Sequence, residues 1–206
     1  MCLSNALAPC YWHTMRTIVA VALLAIATGC QSPPPSRIDP AGAFARLAPC
    51  VDLADTGCLF EELDRDSRWS LATIHRTLKT IGEIVDRSYP ADRRDPATVY
   101  GTWARAAGSK DAHEVFSAFC SRRDCLRKLA RGLGAVTEIS ALTETTATVK
   151  TTRGGSFQMA RAGEEWGLAT YRDELIKEKI RLGDNLDQVR RNAADFDEQR
   201  LATGEK

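Results

Sequence analysis

The chain has 206 residues, with 28 Lys and Arg against 27 Asp and Glu and a formal net charge of +1. Removing residues 1–29 takes away one basic residue, Arg16, and no acid, so the remaining 177 residues balance at zero. Such neutrality leaves no electrostatic footprint for nucleic acid or an anionic surface, and the length suits one domain with a sizeable core.

Met15 to Cys30, MRTIVAVALLAIATGC, has the layout of a signal peptide. Arg16 supplies the positive start, Ile18 to Ala27 the apolar run, and Ala27, Thr28 and Gly29 the small residues before Cys30. That run is shorter than the roughly 20 apolar residues a membrane span needs. The order Ile26-Ala27-Thr28-Gly29-Cys30 resembles the lipobox of bacterial lipoproteins, which implies that Cys30 becomes the acylated first residue of the exported chain. The alternative is an ordinary secretory signal cut after Ala27, leaving Cys30 as a spare thiol. Residues 1–14 show no helical or strand period, so translation is expected to begin at Met15. The lipobox resemblance also implies the outer membrane, facing the periplasm, because lipoproteins of this kind tend to stay in the inner membrane when aspartate follows the cysteine, and Gln31 stands there instead.

Residues 30–40 include four prolines and no apolar period, which predicts an extended tether about 30 Å long. Residues 41–171 then read as an α+β domain, and 172–206 as a C-terminal helical segment. Phe44, Leu47 and Val51 mark a first short helix, and Leu59, Phe60 and Leu63 a second. Asp64-Arg65-Asp66 lacks the later ligands and glycine of a calcium loop and reads as a surface turn. Ser70 is expected to cap a third helix carrying Leu71, Ile74, Leu78, Ile81 and Val85, which stops before Tyr89-Pro90. Asp95-Pro96, Asp111 and Asp124 open three more helices, the last ending at Gly132 and Gly134.

From Ala135 the period changes to two. Val136–Leu142, Ala147–Thr152, Ser156–Arg161 and Glu165–Thr170 are predicted strands, with Arg153-Gly154-Gly155 turning the middle pair. Ala147, Val149, Thr151, Phe157 and Met159 should share the buried face. After Tyr171 the pattern is helical again, with an expected break at Gly183. The stripe of Leu186, Val189 and Phe196 packs on its own domain or, as the alternative, docks a partner helix.

Besides Cys30, four cysteines remain after export, and an even set outside the cytoplasm predicts two disulfides. The local pairing, Cys50 to Cys58 and Cys120 to Cys125, places each bridge across a helix-to-helix turn. Neither C-x2-C nor H-x3-H spacing occurs, so no metal site is expected, and no cofactor motif is present.

The opening helices through Leu63-Asp64 to Trp69, together with Ala147-Thr148-Val149, Gly154-Gly155, Phe157-Gln158-Met159 and Trp166-Gly167-Leu168, resemble the nuclear transport factor two-like superfamily. That resemblance implies helices packed on a curved four-stranded antiparallel sheet in a cone. The stretch Asp64 to Ser70 with Tyr89-Pro90 is also similar to lipoproteins of Gram-negative bacteria. Enzymes of the superfamily hold an acidic or histidine dyad inside the cone, and no such pair matches here. The expected role is therefore a membrane-anchored, non-catalytic binding or scaffolding module, with Trp69, Tyr100, Trp103, Phe157, Met159 and Trp166 as the candidate pocket lining. The alternative is a small-molecule isomerase or dehydratase drawing on Asp111, His113 or Glu138.

Overall fold

The computed structural model describes residues 35–204; the signal segment, Met15 and Cys30 lie outside the described residues. Asp39 opens the first helix, α1 (Pro40–Ala45), by accepting from Gly42 N at 2.8 Å, and proline at the first position suits a turn whose N–H is unpaired anyway. α2 (Leu47–Asp52) and α3 (Thr56–Glu61) follow, so the expected pair of opening helices is three. The Cys50–Cys58 disulfide is present and ties α2 to α3 with Cα atoms 5.3 Å apart.

The third predicted helix begins earlier than Ser70. α4 (Arg65–Ser88) is capped by Asp64, whose carboxylate accepts from Asp66 N and Ser67 N. Asp64 is thus a buried helix cap and not a surface turn. Small buried residues, Ser67 and Ser70, let this first turn lie close to its neighbours, and Leu71, Ile74, Leu78 and Ile81 continue the stripe. Tyr89 takes an extended conformation before Pro90 and ends the helix.

α5 (Pro96–Tyr100) runs into a 3-10 turn at Gly101–Ala106, with Gly101 at a φ of 54° that a side chain disfavours. α6 (Ala112–Arg123) and α7 (Cys125–Gly132) are joined through Asp124 in the left-handed region. The four strands are β1 (Val136–Thr143), β2 (Thr146–Thr151), β3 (Ser156–Ala162) and β4 (Glu165–Leu168), antiparallel in the order β1-β2-β3-β4. Ala147, Val149, Phe157, Met159, Trp166 and Leu168 form the sheet's buried face, and Phe157 meets Phe44 of α1 at 5.1 Å. The fold is α+β, as the change of period from 3.6 to two implies.

Past its last ladder, β4 meets the chain between α3 and α4. Leu168 N donates to Glu62 O at 2.8 Å, and Asp64 N donates to Leu168 O at 3.0 Å. The tether's end is held at the same place: Trp166 N donates to Arg37 O at 2.8 Å.

α8 (Arg172–Thr203) is one unbroken helix of 32 residues, so the expected break at Gly183 does not occur. A single glycine costs a helix about 1 kcal/mol, less than what burial of Leu175, Leu182 and Val189 along α4 contributes. Ser88 donates to Asp197 at 3.2 Å, and Tyr89 meets Phe196 edge-on at 4.9 Å. Val189, Leu186 and Phe196 therefore pack on the domain itself, the first fully and the others in part.

Candidate functional site

The six aromatic and Met positions predicted to line a pocket do not converge on one. Phe157, Met159 and Trp166 fill the core, Trp103 is buried, and Tyr100 is half-buried beside it. Trp69 is 58 % exposed on the outer side of α4, with Lys179 Nζ 4.5 Å from its ring centroid. The reason is helical phase: the inward stripe of Ser67, Ser70, Leu71 and Ile74 leaves position 69 facing out.

The residues on which an enzyme reading depends stand at the surface. Asp111 is the exposed cap of α6, held below the ordinary carboxyl range mainly by the Glu114 N–H. Glu138 is exposed and lowered by Ser140 and Lys150. His113 pairs with Glu61 at 2.8 Å across the edge of Phe60. No buried acid or base facing a cavity results from any of the three. His75 Nε2 contacts Ser109 O at 3.1 Å, the expected backbone partner of a boundary histidine. Among the described residues, no group of three or more His, Cys, Asp or Glu is placed to hold a metal ion.

The buried carboxylates have arginine partners, a feature that periodicity does not reveal. Glu62 is held by Arg37 and Arg46, each at 2.9 Å, and Asp64 by Arg172 at 2.8 Å. Glu178 of α8 accepts from Trp103 Nε1 and from Arg122 Nη2, both at 3.2 Å. Each pairing joins segments distant in sequence, so these ions fix how the layers register, since removing either partner strands a buried charge.

The second expected bridge is not formed. Cys120 and Cys125 are two buried thiols facing one another across the Asp124 turn. Cys125 donates to Cys120 and holds it below its ordinary value, while the same contact and burial push Cys125 up. Burial first, and then these thiols, push the Tyr171 hydroxyl up as it bonds to Cys125.

An open apolar feature lies beside β1. One extra residue, Thr137, interrupts the pairing with β2, so Val136, Ile139 and Ala141 stand opposite buried Thr151, Val149 and Ala147. These three residues therefore belong to the sheet's core face. Yet Val136 is 40 % and Ile139 41 % exposed, because the helical layer only partly covers this end. A second extra residue, Leu142, is 65 % exposed. The uncovered face continues into a cleft of about 560 Å³ lined by Phe44, Ala48, Val51, Leu133, Val136 and Arg153. β1 is also an edge of the sheet, with no strand on its far side among the described residues.

No family model, no curated protein and no solved structure matches the chain. The resemblance to the nuclear transport factor two-like superfamily therefore rests on its residues alone.

Proposed function

We propose that this protein is a non-catalytic binding module, lipid-anchored through Cys30 at the outer membrane and facing the periplasm, that receives an apolar partner segment beside β1. The observation that supports the reading is the coincidence of an apolar cleft with an edge strand whose core-side residues are uncovered. An extended segment added there gains backbone hydrogen bonds from the free edge and buries side chains against Val136, Ile139 and Phe44. Exposed apolar residues gathered on one strand mark interaction sites more often than scattered ones do. Acyl chains contribute about 0.8 kcal/mol per buried methylene, so two or three make anchoring permanent on the cellular timescale.

Two measurements test this. Labelling of cells with an alkyne palmitate analogue is expected to tag the chain and to fail for Cys30→Ala; labelling of both, or neither, contradicts the anchor. The fluorescent apolar dye anilinonaphthalene sulfonate is expected to bind the folded protein. Ala48→Trp, which fills the cleft from an exposed position, should weaken that binding about tenfold with the thermal midpoint unchanged. Unaltered dye binding in the filled variant contradicts the cleft as the site.

A further inference from the structure

A second cleft, of about 480 Å³, opens between the 3-10 turn and α6, and its lining is unlike that of the groove beside β1. Thr102, Trp103, Arg105, Phe119, Ser121 and Arg122 line it, with alanines between them and no carboxylate. Arg122 is fixed in place: Nη1 donates to Thr102 O at 3.1 Å, Nη2 donates to Glu178, and the guanidinium lies 4.9 Å from the Trp103 ring centroid. Its Nε is buried with no hydrogen-bond partner among the described residues.

Charge in this corner is out of balance, although the exported chain as a whole is neutral. Arg122, Arg123 and Arg181 approach the one Glu178 carboxylate at 3.2, 3.7 and 3.6 Å. Arg123 is shared with Glu174. Arg105 makes no hydrogen bond or ion pair among the described residues. Four guanidinium groups thus stand against two carboxylates; Arg122 shares Glu178 with two other arginines, Arg105 has no partner among the described residues, and these two are the ones that face the cleft. Elsewhere the buried acids Glu62 and Asp64 and their arginines satisfy one another.

We infer that this cleft binds a small organic acid, a carboxylate on a flat apolar body. The carboxylate lies between Arg105 and Arg122 with the Ser121 hydroxyl as a further donor, and the body lies against Phe119, Trp103 and the alanines. A planar guanidinium held by a backbone carbonyl and an aromatic ring is pre-organised for such an acid, which lowers the ordering cost of binding. The site shares no lining residue with the groove beside β1, so the two stand or fall separately.

The test is calorimetric titration of the full chain with sodium benzoate, with benzyl alcohol and inorganic phosphate as comparison probes, and with the Trp103 indole N–H followed by NMR. Benzoate is expected to saturate one site and to shift the Trp103 signal, with both comparison probes at least about tenfold weaker. Arg105→Gln, which removes an exposed unpaired side chain, should weaken benzoate about tenfold, and Ser121→Glu should abolish it. Both variants should keep the wild-type thermal midpoint. Absence of saturable benzoate binding, equal binding of either comparison probe, or wild-type binding by both variants overturns the inference.

Discussion

Replacing Gly167 by alanine tests how β4 is seated against the helical layer. A methyl group there would lie 2.8 Å from the Asp64 N and Cα atoms and 2.9 Å from Leu63 C, all backbone and unable to swing aside. β4 must therefore retreat. That movement strains the Leu168 N to Glu62 O and Asp64 N to Leu168 O bonds and pulls at the Asp64 cap that Arg172 holds. Overpacking costs about 1–3 kcal/mol, and two hydrogen bonds about 1 kcal/mol each. The loss of unfolded-state entropy returns about 0.4–1 kcal/mol. The net destabilisation is about 2–4.5 kcal/mol, read as a lower urea midpoint at unchanged slope. Gly183→Ala is the matched control, because nothing lies within 4 Å of its new methyl. It should stabilise α8 by about 0.5–1 kcal/mol. A Gly167→Ala loss under about 1 kcal/mol would refute the close-approach argument.

Glu178→Gln leaves Arg122, Arg123 and Arg181 facing a neutral amide and is expected to destabilise by about 3 kcal/mol, measured by chemical denaturation. An unchanged midpoint would contradict the clamp. Removing the Cys50–Cys58 bridge, with its sequence separation of 8, should cost about 2–3 kcal/mol by loop entropy, again read from the urea midpoint. In the protein with Cys120 and Cys125 reduced, Cys125 and Tyr171 hold their protons above the ordinary values of 9.0 and 10.0. The unfolded chain therefore releases those protons first. Stability is full below about pH 9 and falls as pH rises, by up to about 1.4 kcal/mol per pH unit for each group. Cys120, held low, contributes with the opposite sign, and only until both states have lost that proton. Denaturation midpoints that stay flat from about pH 9 to 11 would contradict the buried thiol and phenol cluster.

How much of this was legible depends on the kind of signal. The strands could be read because Val149, Phe157 and Met159 alternate with polar residues and Gly154-Gly155 turns the chain, both local features. The caps at Asp95 and Asp111 were legible for the same reason. Asp64 was not, because its role as a buried cap depends on Arg172, 108 residues away. The outward placement of Trp69 is hidden for the same reason: a helix expected to start at Ser70 says nothing about which way residue 69 faces, whereas the helix starts at Arg65. The break expected at Gly183 ignored the apolar residues on both sides that pack along α4. The extra residue at Thr137 hid the core-side row of β1, since strict alternation puts Val136 and Ile139 on opposite faces. The arginine partners of Glu62, Asp64 and Glu178 come from tertiary placement, and no spacing in the chain announces them.

Photocrosslinking in intact cells tests the proposed partner site at β1 most directly. With p-benzoylphenylalanine at position 136 or 139 of the full chain, irradiation should yield one discrete adduct, and at exposed Ile180 on α8 none. An adduct at Ile180 with positions 136 and 139 silent would contradict the account.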